Sequence, residues 1–402
     1  MTTAADARAL TELETFDGGV PYELFDELRG QPPAESGTSP AGERIVSVCR
    51  HAEIAAISRD PGTFSSARAG IFPNPDAVFS LDLTRNLLLF KDPPEHTKYR
   101  KILQTAFVPN SVNPLEPGIR ATFDAQLDTV IDAGRCDFVA EIAVPYPLKV
   151  LSDLMGLPRE DLPTLESWID RIEAAQISQV SDEAAPVMAE MAPYLLEQIQ
   201  RQKQEGGDTL VTKLADAEVD GDRLDDAEIL VFFGLLVFAG NDTTRNTLAG
   251  GMRALLEHPD QLELLRAEPE RIPNAVEEIL RWTTVVNYFC RTAATDTEVG
   301  GCPVHEGEKV MIWYASGSRD PEVNDDPHRF DVTRTDVSHM AFGGGGRHFC
   351  LGAGLARLEL RVALEQLLSR LQTIELDGEP ERLRSTWANA HTSLPIKFTK
   401  ST

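Results

Sequence analysis

The stretch 341–360, "AFGGGGRHFCLGAGLARLEL", sets four consecutive glycines, an arginine and a histidine before a single cysteine, Cys350. Glycine loses more conformational freedom on folding than any other residue, so such a run signals a steric demand. Three common uses of glycine-rich turns fail on the residues around it. A phosphate loop at a helix start would continue with Lys-Ser or Lys-Thr, and 343–354 contain neither that nor GxGxxG. A structural zinc site needs several spaced ligands, and Cys350 has no such partners. A hydrolase nucleophile elbow requires GxSxG, which occurs nowhere in the chain.

Two readings remain: a purely structural turn, or a turn that presents a reactive sulfur. "LGAGLARLELRVALEQLLSRL" reads as an amphipathic helix starting just after Cys350. A thiolate at a helix N-terminus is stabilised by the dipole and by free backbone N–H groups. Those N–H bonds would also tune a metal held by the sulfur. A glycine-lined turn lets a flat, bulky cofactor lie against the backbone. Thiolate ligation of haem iron favours O–O cleavage, and the residues are therefore read as a haem loop.

Five weaker signals accompany it. In "LVFAGNDTTRN", Asp242, Thr243 and Thr244 place an acid and two hydroxyls in an apolar helix, with Gly240 inviting a local distortion. The ordinary reading is the polar end of an amphipathic helix; the functional one is proton relay by Asp242 and Thr243. Asp225 and Glu228 form a capping box for that helix. In "PNAVEEILRW", Pro273 suits a first helical turn and Glu278 and Arg281 share a face, a pair that is usually a surface ion pair. In "KDPPEHTKYRK", His96 and Arg100 share a face. Arg291 sits in the otherwise apolar run "VVNYFCRTA" and demands a partner. "DDPHRF" carries Arg329 in an irregular segment.

The elements that position these residues are legible from periodicity. From Asn86 to about Arg266 the pattern is chiefly helical, as in "AEIAVPYPLKVLSDLMG". "RIVSV", "VVNYFCRTA" and "EKVMIWYAS" read as strands, an irregular region runs to Met340, and "HTSLPIKFT" reads as extended. Segment 30–43 reads as a surface loop, and 67–86 and 170–190 as loop-rich and substrate-selecting. The fold class is mainly α with minor β, a helix-rich half plus a small β-rich region. One domain is expected over 1–402, with 1–20 poorly ordered.

Composition narrows the partners. With 42% hydrophobic residues a large core is available, and a net charge of -26 disfavours nucleic acid and anionic membranes. The N-terminus lacks the pattern of a secretory signal, and the apolar run Ile229–Gly240 is short of a membrane span. Five scattered cysteines without a CxxC pair suit a reducing compartment. The expectation is a cytoplasmic protein with no membrane anchor.

Taken together and in this order, the motifs make the chain resemble the cytochrome P450 family from about Tyr22 to Thr399. "FGGGGRHFCLGAGLAR" matches the haem loop, "AGNDTT" the oxygen helix, and "EEILR" with "DPHRF" the structural Glu-x-x-Arg region. The resemblance implies a haem b cofactor with Cys350 as iron ligand and His96, Arg100, Arg291 and His348 holding its propionates. It implies a buried network of Glu278, Arg281 and Arg329, an acid–alcohol pair Asp242–Thr243, and a substrate cavity lined by Leu235, Ala239, Val285 and Val286. Phe342 precedes Cys350 by eight residues where seven is commoner, a lengthened loop similar to that of the bacterial branch oxidising sterols and methyl-branched or terpenoid lipids.

The implied activity is hydroxylation of a small apolar substrate by O2, with electrons from a ferredoxin or flavodoxin and its NAD(P)H-dependent reductase. Lys98, Lys101, Arg347, Arg357 and Arg361 are the expected basic docking patch on the cysteine side. Rival readings are a tailoring enzyme of secondary metabolism, a peroxide-driven relative and a non-catalytic haem protein.

Overall fold

A helix of 32 residues, Asp226–Glu257, forms the spine of the protein. In chain order the helices that matter for the site are α1 (His51–Arg59), α2 (Glu95–Leu103), α3 (Pro145–Met155), α4 (Asp226–Glu257), α5 (Ile272–Thr283) and α6 (Ala353–Arg370). The computed structural model describes residues 5–74, 84–178 and 184–401, apart from the side chains of 173–178, 184–185 and 238. Just over half of the described residues are helical.

The α4 helix starts where its capping box requires: Asp225 Oδ1 accepts from Glu228 N–H and Glu228 Oε2 accepts from Asp225 N–H, each at 2.8 Å. It then runs unbroken through Gly240. A Cβ there would make only an ordinary contact, 3.8 Å from Leu151 of α3, so packing does not require glycine at this position. Further along, a Cβ on Gly251 would stand 2.6 Å from Ile279 of α5. By length and composition alone α4 would suit a membrane span. Instead it is enclosed by α3, α5 and α6, with Ile229, Phe233 and Leu255 fully buried.

The larger sheet has five strands: β1 (Ala34–Thr38), β2 (Arg44–Val48), β3 (Phe64–Ser65), β4 (Tyr288–Ala293) and β5 (Lys309–Trp313). Their order is β1-β2-β5-β4-β3, all pairs antiparallel except β2 with β5. Arg291 faces Val310 in register, and Phe64 pairs with Ala293, which brings Ser65 and Ser66 beside the Arg291 strand. A second sheet gathers Arg135–Asp137, Leu371–Leu376 and Pro395–Lys400 around the C-terminal strand.

Three local expectations are corrected. Within 30–43, Ala34–Thr38 is a strand, because pairing with the apolar Arg44–Val48 satisfies its backbone. Residues 5–20 are not loose: they carry the 3-10 turns Ala7–Thr11 and Leu13–Phe16, pinned by Leu10 and Phe16 in a core with Trp313. In 170–190, helix continues to Ser178 and resumes at Ala184; residues 179–183 lie outside the described set, as do 75–83 of the other variable segment.

Candidate active site

The glycine run closes a tight loop in which the Cys350 N–H donates to the Phe342 carbonyl at 3.0 Å. Gly343, Gly345 and Gly346 have φ of 89°, 87° and 74°, a region that side chains disfavour. What comes close to this backbone is α1. A Cβ on Gly344 would stand 2.3 Å from Ser58 Oγ, and one on Gly346 2.3 Å from the Ser58 carbonyl oxygen. The expectation that the glycines make room chiefly for a flat cofactor is thus revised: they seat the loop on the last turn of α1. Phe342 is buried, edge-on to Phe349 at 6.1 Å and beneath the Arg357 guanidinium at 4.6 Å.

Cys350 sits where α6 is about to begin, with Gly352 as N-cap. Burial pushes its thiol up, against the pull of the Gly352 and Ala353 N–H groups and of Arg100 and Arg357. The residue nonetheless presents exposed surface, as does neighbouring Phe349.

Around Cys350 the structure gathers four of the residues singled out in the sequence. The His96 and His348 rings lie 4.3 Å apart, and Ser66 Oγ is 3.3 Å from His348 Nε2. His96 is 1% exposed, yet neither ring nitrogen has a hydrogen-bond partner. Burial, then Arg100 and Arg347, hold its imidazole down to about 4. His348 is driven in the same direction by burial, Arg291 and His96. Arg291 is 4% exposed and donates to the Cys290 carbonyl at 2.7 Å. Among the described residues, no carboxylate lies within ion-pairing distance of Arg100 or Arg291.

A buried and a half-buried guanidinium without counter-charge, beside a buried histidine with both nitrogens unmatched, are costly. The pattern fits a ligand bearing carboxylates that accept from these groups. A haem satisfies it: two propionates for the cationic cluster, iron for the sulfur at the helix start.

The α4 helix, packed against α6, carries the second group. Ala239 is exposed, with Leu235, Leu236 and Gly240 half-buried beside it, and Thr243 is half-buried, its Oγ1 donating to the Ala239 carbonyl at 2.7 Å. Asp242 is 5% exposed and held: its Oδ1 accepts from Arg245 Nη2 at 2.9 Å and from Asn246 Nδ2 at 3.0 Å. Sequence reasoning passed over Arg245 and Asn246, although i+3 and i+4 spacing on a helix pointed to them. Leu235 and Val286 keep accessible surface, whereas Val285 is 5% exposed and offers almost none.

Glu278 and Arg281 are fully buried, joined at 2.6 Å and 2.8 Å, rather than forming the usual surface pair. Arg281 also donates to the carbonyls of Pro327 and Arg329 at 2.8 Å and 3.1 Å. Arg329 is corrected: its guanidinium is 62% exposed and only its carbonyl joins the network. The second cation is Arg334, whose Nε lies 3.4 Å from Glu278 Oε1. Nothing in the "TRTD" stretch marked it beforehand.

The basic docking patch is also revised. Lys98 pairs with Asp222, Lys101 with Asp220, Arg357 with Glu277, and Arg361 with Glu116 and Glu365. Among the described residues, Arg347 alone of the five carries no such partner.

A family model for Cytochrome P450 matches residues 151–399. A steroid C26-monooxygenase of Rhodococcus jostii is 34% identical over 399 residues, spanning 96% of this chain and 84% of that one. The crystal structure of CYP108D1 from Novosphingobium aromaticivorans superimposes with a TM-score of 0.87 at 32% identity, covering 100% of both chains. Mycobacterium marinum CYP268A2, solved in complex with pseudoionone, gives 0.86 at 34% identity over 99% of both.

Proposed function

The chain belongs to the cytochrome P450 family and is a monooxygenase of that family, and from that premise we propose that it hydroxylates a steroid, terpenoid or branched lipid at a haem b centre. The carrying observation is the cluster of His96, Arg100, Arg291 and His348, cationic or unmatched in a buried place beside Cys350. When bound, the haem supplies a thiolate-ligated iron whose chemistry favours O–O cleavage.

The residues of the chain then divide the work. Cys350 would ligate the iron, and the Gly352 and Ala353 N–H groups would spread the charge of its sulfur. Arg100, Arg291, His96 and His348 hold the propionates through charge-assisted hydrogen bonds. Thr243 Oγ1 would deliver a proton at the substrate side of α4, giving up its bond to the Ala239 carbonyl as it does so. Asp242 reloads it from solvent by turning its carboxylate away from Arg245 and Asn246. Leu235, Ala239 and Val286 face the substrate, and apolar contact excludes water from the reaction.

The substrate class is supported by the steroid-oxidising relative and by the neighbour that holds pseudoionone. O2 is the co-substrate, a ferredoxin or flavodoxin with its NAD(P)H-dependent reductase supplies the electrons, and the protein acts in the cytoplasm. The test is titration of the haem-loaded ferric protein with sterols, terpenoids, fatty acids and macrolides while following the Soret band. It is followed by turnover with a surrogate reductase under labelled oxygen. A blue shift and labelled product from the first two classes support the reading. A response to macrolides alone transfers the enzyme to tailoring of secondary metabolites.

A further inference from the structure

Away from Cys350, the C-terminal part of α4 borders a cavity of about 330 Å³. Its walls come from parts of the chain far apart in sequence: Arg253 of α4, Trp282 of α5, Arg319, Tyr22, and Arg382 and His391 from the C-terminal region. Exposed Gly18 and Arg382 stand at its mouth. The volume is in the range of small-molecule sites.

The lining is rich in donors. Arg319 is 3% exposed, with its guanidinium carbon 3.6 Å from the Trp282 ring centroid and 4.4 Å from that of Tyr22. Its terminal nitrogens reach the carbonyls of Pro327 and Trp282, but its Nε has no hydrogen-bond partner, and neither has the buried Tyr22 hydroxyl. His391 is 6% exposed; Arg253 Nη1 lies 3.1 Å from its Nε2. An arginine can only donate, so Nε2 accepts and Nδ1 carries the proton. That N–H is buried and unmatched as well.

The charges do not balance. Arg253 pairs with Glu257, whereas Arg319 and Arg382 have no carboxylate partner among the described residues. His328, also on the wall, is turned to Asp26. Three guanidiniums against one carboxylate leave two positive charges in a half-enclosed space, within a protein whose net charge is -26. Guanidiniums are the side chains best suited to oxyanions. A surplus of two positive charges matches a phosphate dianion.

We propose that the cavity walled by Arg253, Arg319, Arg382 and His391 binds a phosphate group, as free phosphate or as a small phosphate monoester. The volume beyond the ion and the Tyr22 and Trp282 rings leave room for an organic body.

The test is titration calorimetry on the haem-loaded protein at fixed ionic strength, using inorganic phosphate and glycerol 3-phosphate against chloride. Saturable binding is expected, weakened about tenfold or more by Arg382→Gln and by Arg253→Gln, with the Soret band and carbon monoxide spectrum unchanged. Arg384→Gln, at an exposed pair with Asp17, retains wild-type affinity. Tighter glycerol 3-phosphate assigns a monoester; tighter phosphate assigns the free ion. Absence of saturable binding for both anions overturns the proposal, as does binding unaltered in Arg382→Gln. That variant is at an exposed residue and decides the matter even if Arg253→Gln fails to fold.

Discussion

Gly346 rests directly on the backbone of Ser58: a single added methyl would lie 2.3 Å from the Ser58 carbonyl oxygen. Gly344 meets the same residue through its side chain instead, at 2.3 Å from Oγ. The two contacts predict different rescue. Gly344→Ala and Gly346→Ala should each destabilise the protein by about 1–3 kcal/mol. Adding Ser58→Gly should recover much of the loss for Gly344→Ala and little for Gly346→Ala, whose clash is with backbone. Denaturant unfolding of the four variants measures this, and equal rescue would remove the proposed seating on α1.

The correction at Arg329 is testable in the same way. Glu278→Gln leaves Arg281 buried without its counter-charge and should cost about 3–5 kcal/mol. Arg329→Ala removes an exposed guanidinium and should stay within about 0.5 kcal/mol. Arg334→Ala should fall between. A large loss from Arg329→Ala, measured by urea unfolding, would restore that side chain to the network.

For proton delivery, Thr243→Val keeps the shape of the side chain and removes the hydroxyl. Product per electron pair should fall about tenfold or more, with peroxide accounting for the missing electrons. Coupling at the wild-type level would exclude Thr243 Oγ1 as the delivering group.

Because Lys98, Lys101, Arg357 and Arg361 are already paired, reduction by an acidic ferredoxin should depend only weakly on salt. Arg347→Ala should slow it about threefold, while Lys101→Ala leaves it nearly unchanged. Stopped-flow reduction across ionic strength checks both; a steep salt slope would reinstate the five-residue patch.

His391 gives a pH signature. Unfolded histidine takes up a proton near pH 6.5, but burial and then Arg382 and Arg253 hold the folded side chain down to about 3. Between those values the unfolded state binds more protons, so stability drops as pH falls below about 6.5, by about 1.4 kcal/mol per unit. His391→Gln removes that contribution. The stability gap between wild type and variant should therefore shrink by about 2 kcal/mol from pH 7 to pH 5. A constant gap would contradict the buried neutral imidazole.

Much of the site was legible because its parts obey local rules. The Asp225–Glu228 box fixes where α4 begins, and the helix after Cys350 follows from its periodicity. The clustering of His96, Arg100, Arg291 and His348 came from family resemblance, since no spacing rule joins residues so distant in sequence. What escaped was decided by tertiary packing. No local signal could tell that Glu278 and Arg281 are fully buried, that Arg334 rather than Arg329 supplies the extra cation, or that α1 is the surface the glycines meet. The Asp242–Arg245 pair, by contrast, is implied by its i, i+3 spacing on a helix alone.

The length and apolarity of α4 also matter while the chain is being made. By the time Glu257 has been added, the segments that will cover α4 at α5 and α6 are still unsynthesised, the last ending at Arg370. At about 5–20 residues per second, that leaves α4 waiting several seconds to roughly 20 seconds for its full cover. During that interval the nascent chain displays a helix apolar enough for a membrane. Holding it off membranes and other nascent chains falls to the ribosome's neighbourhood rather than to the finished fold.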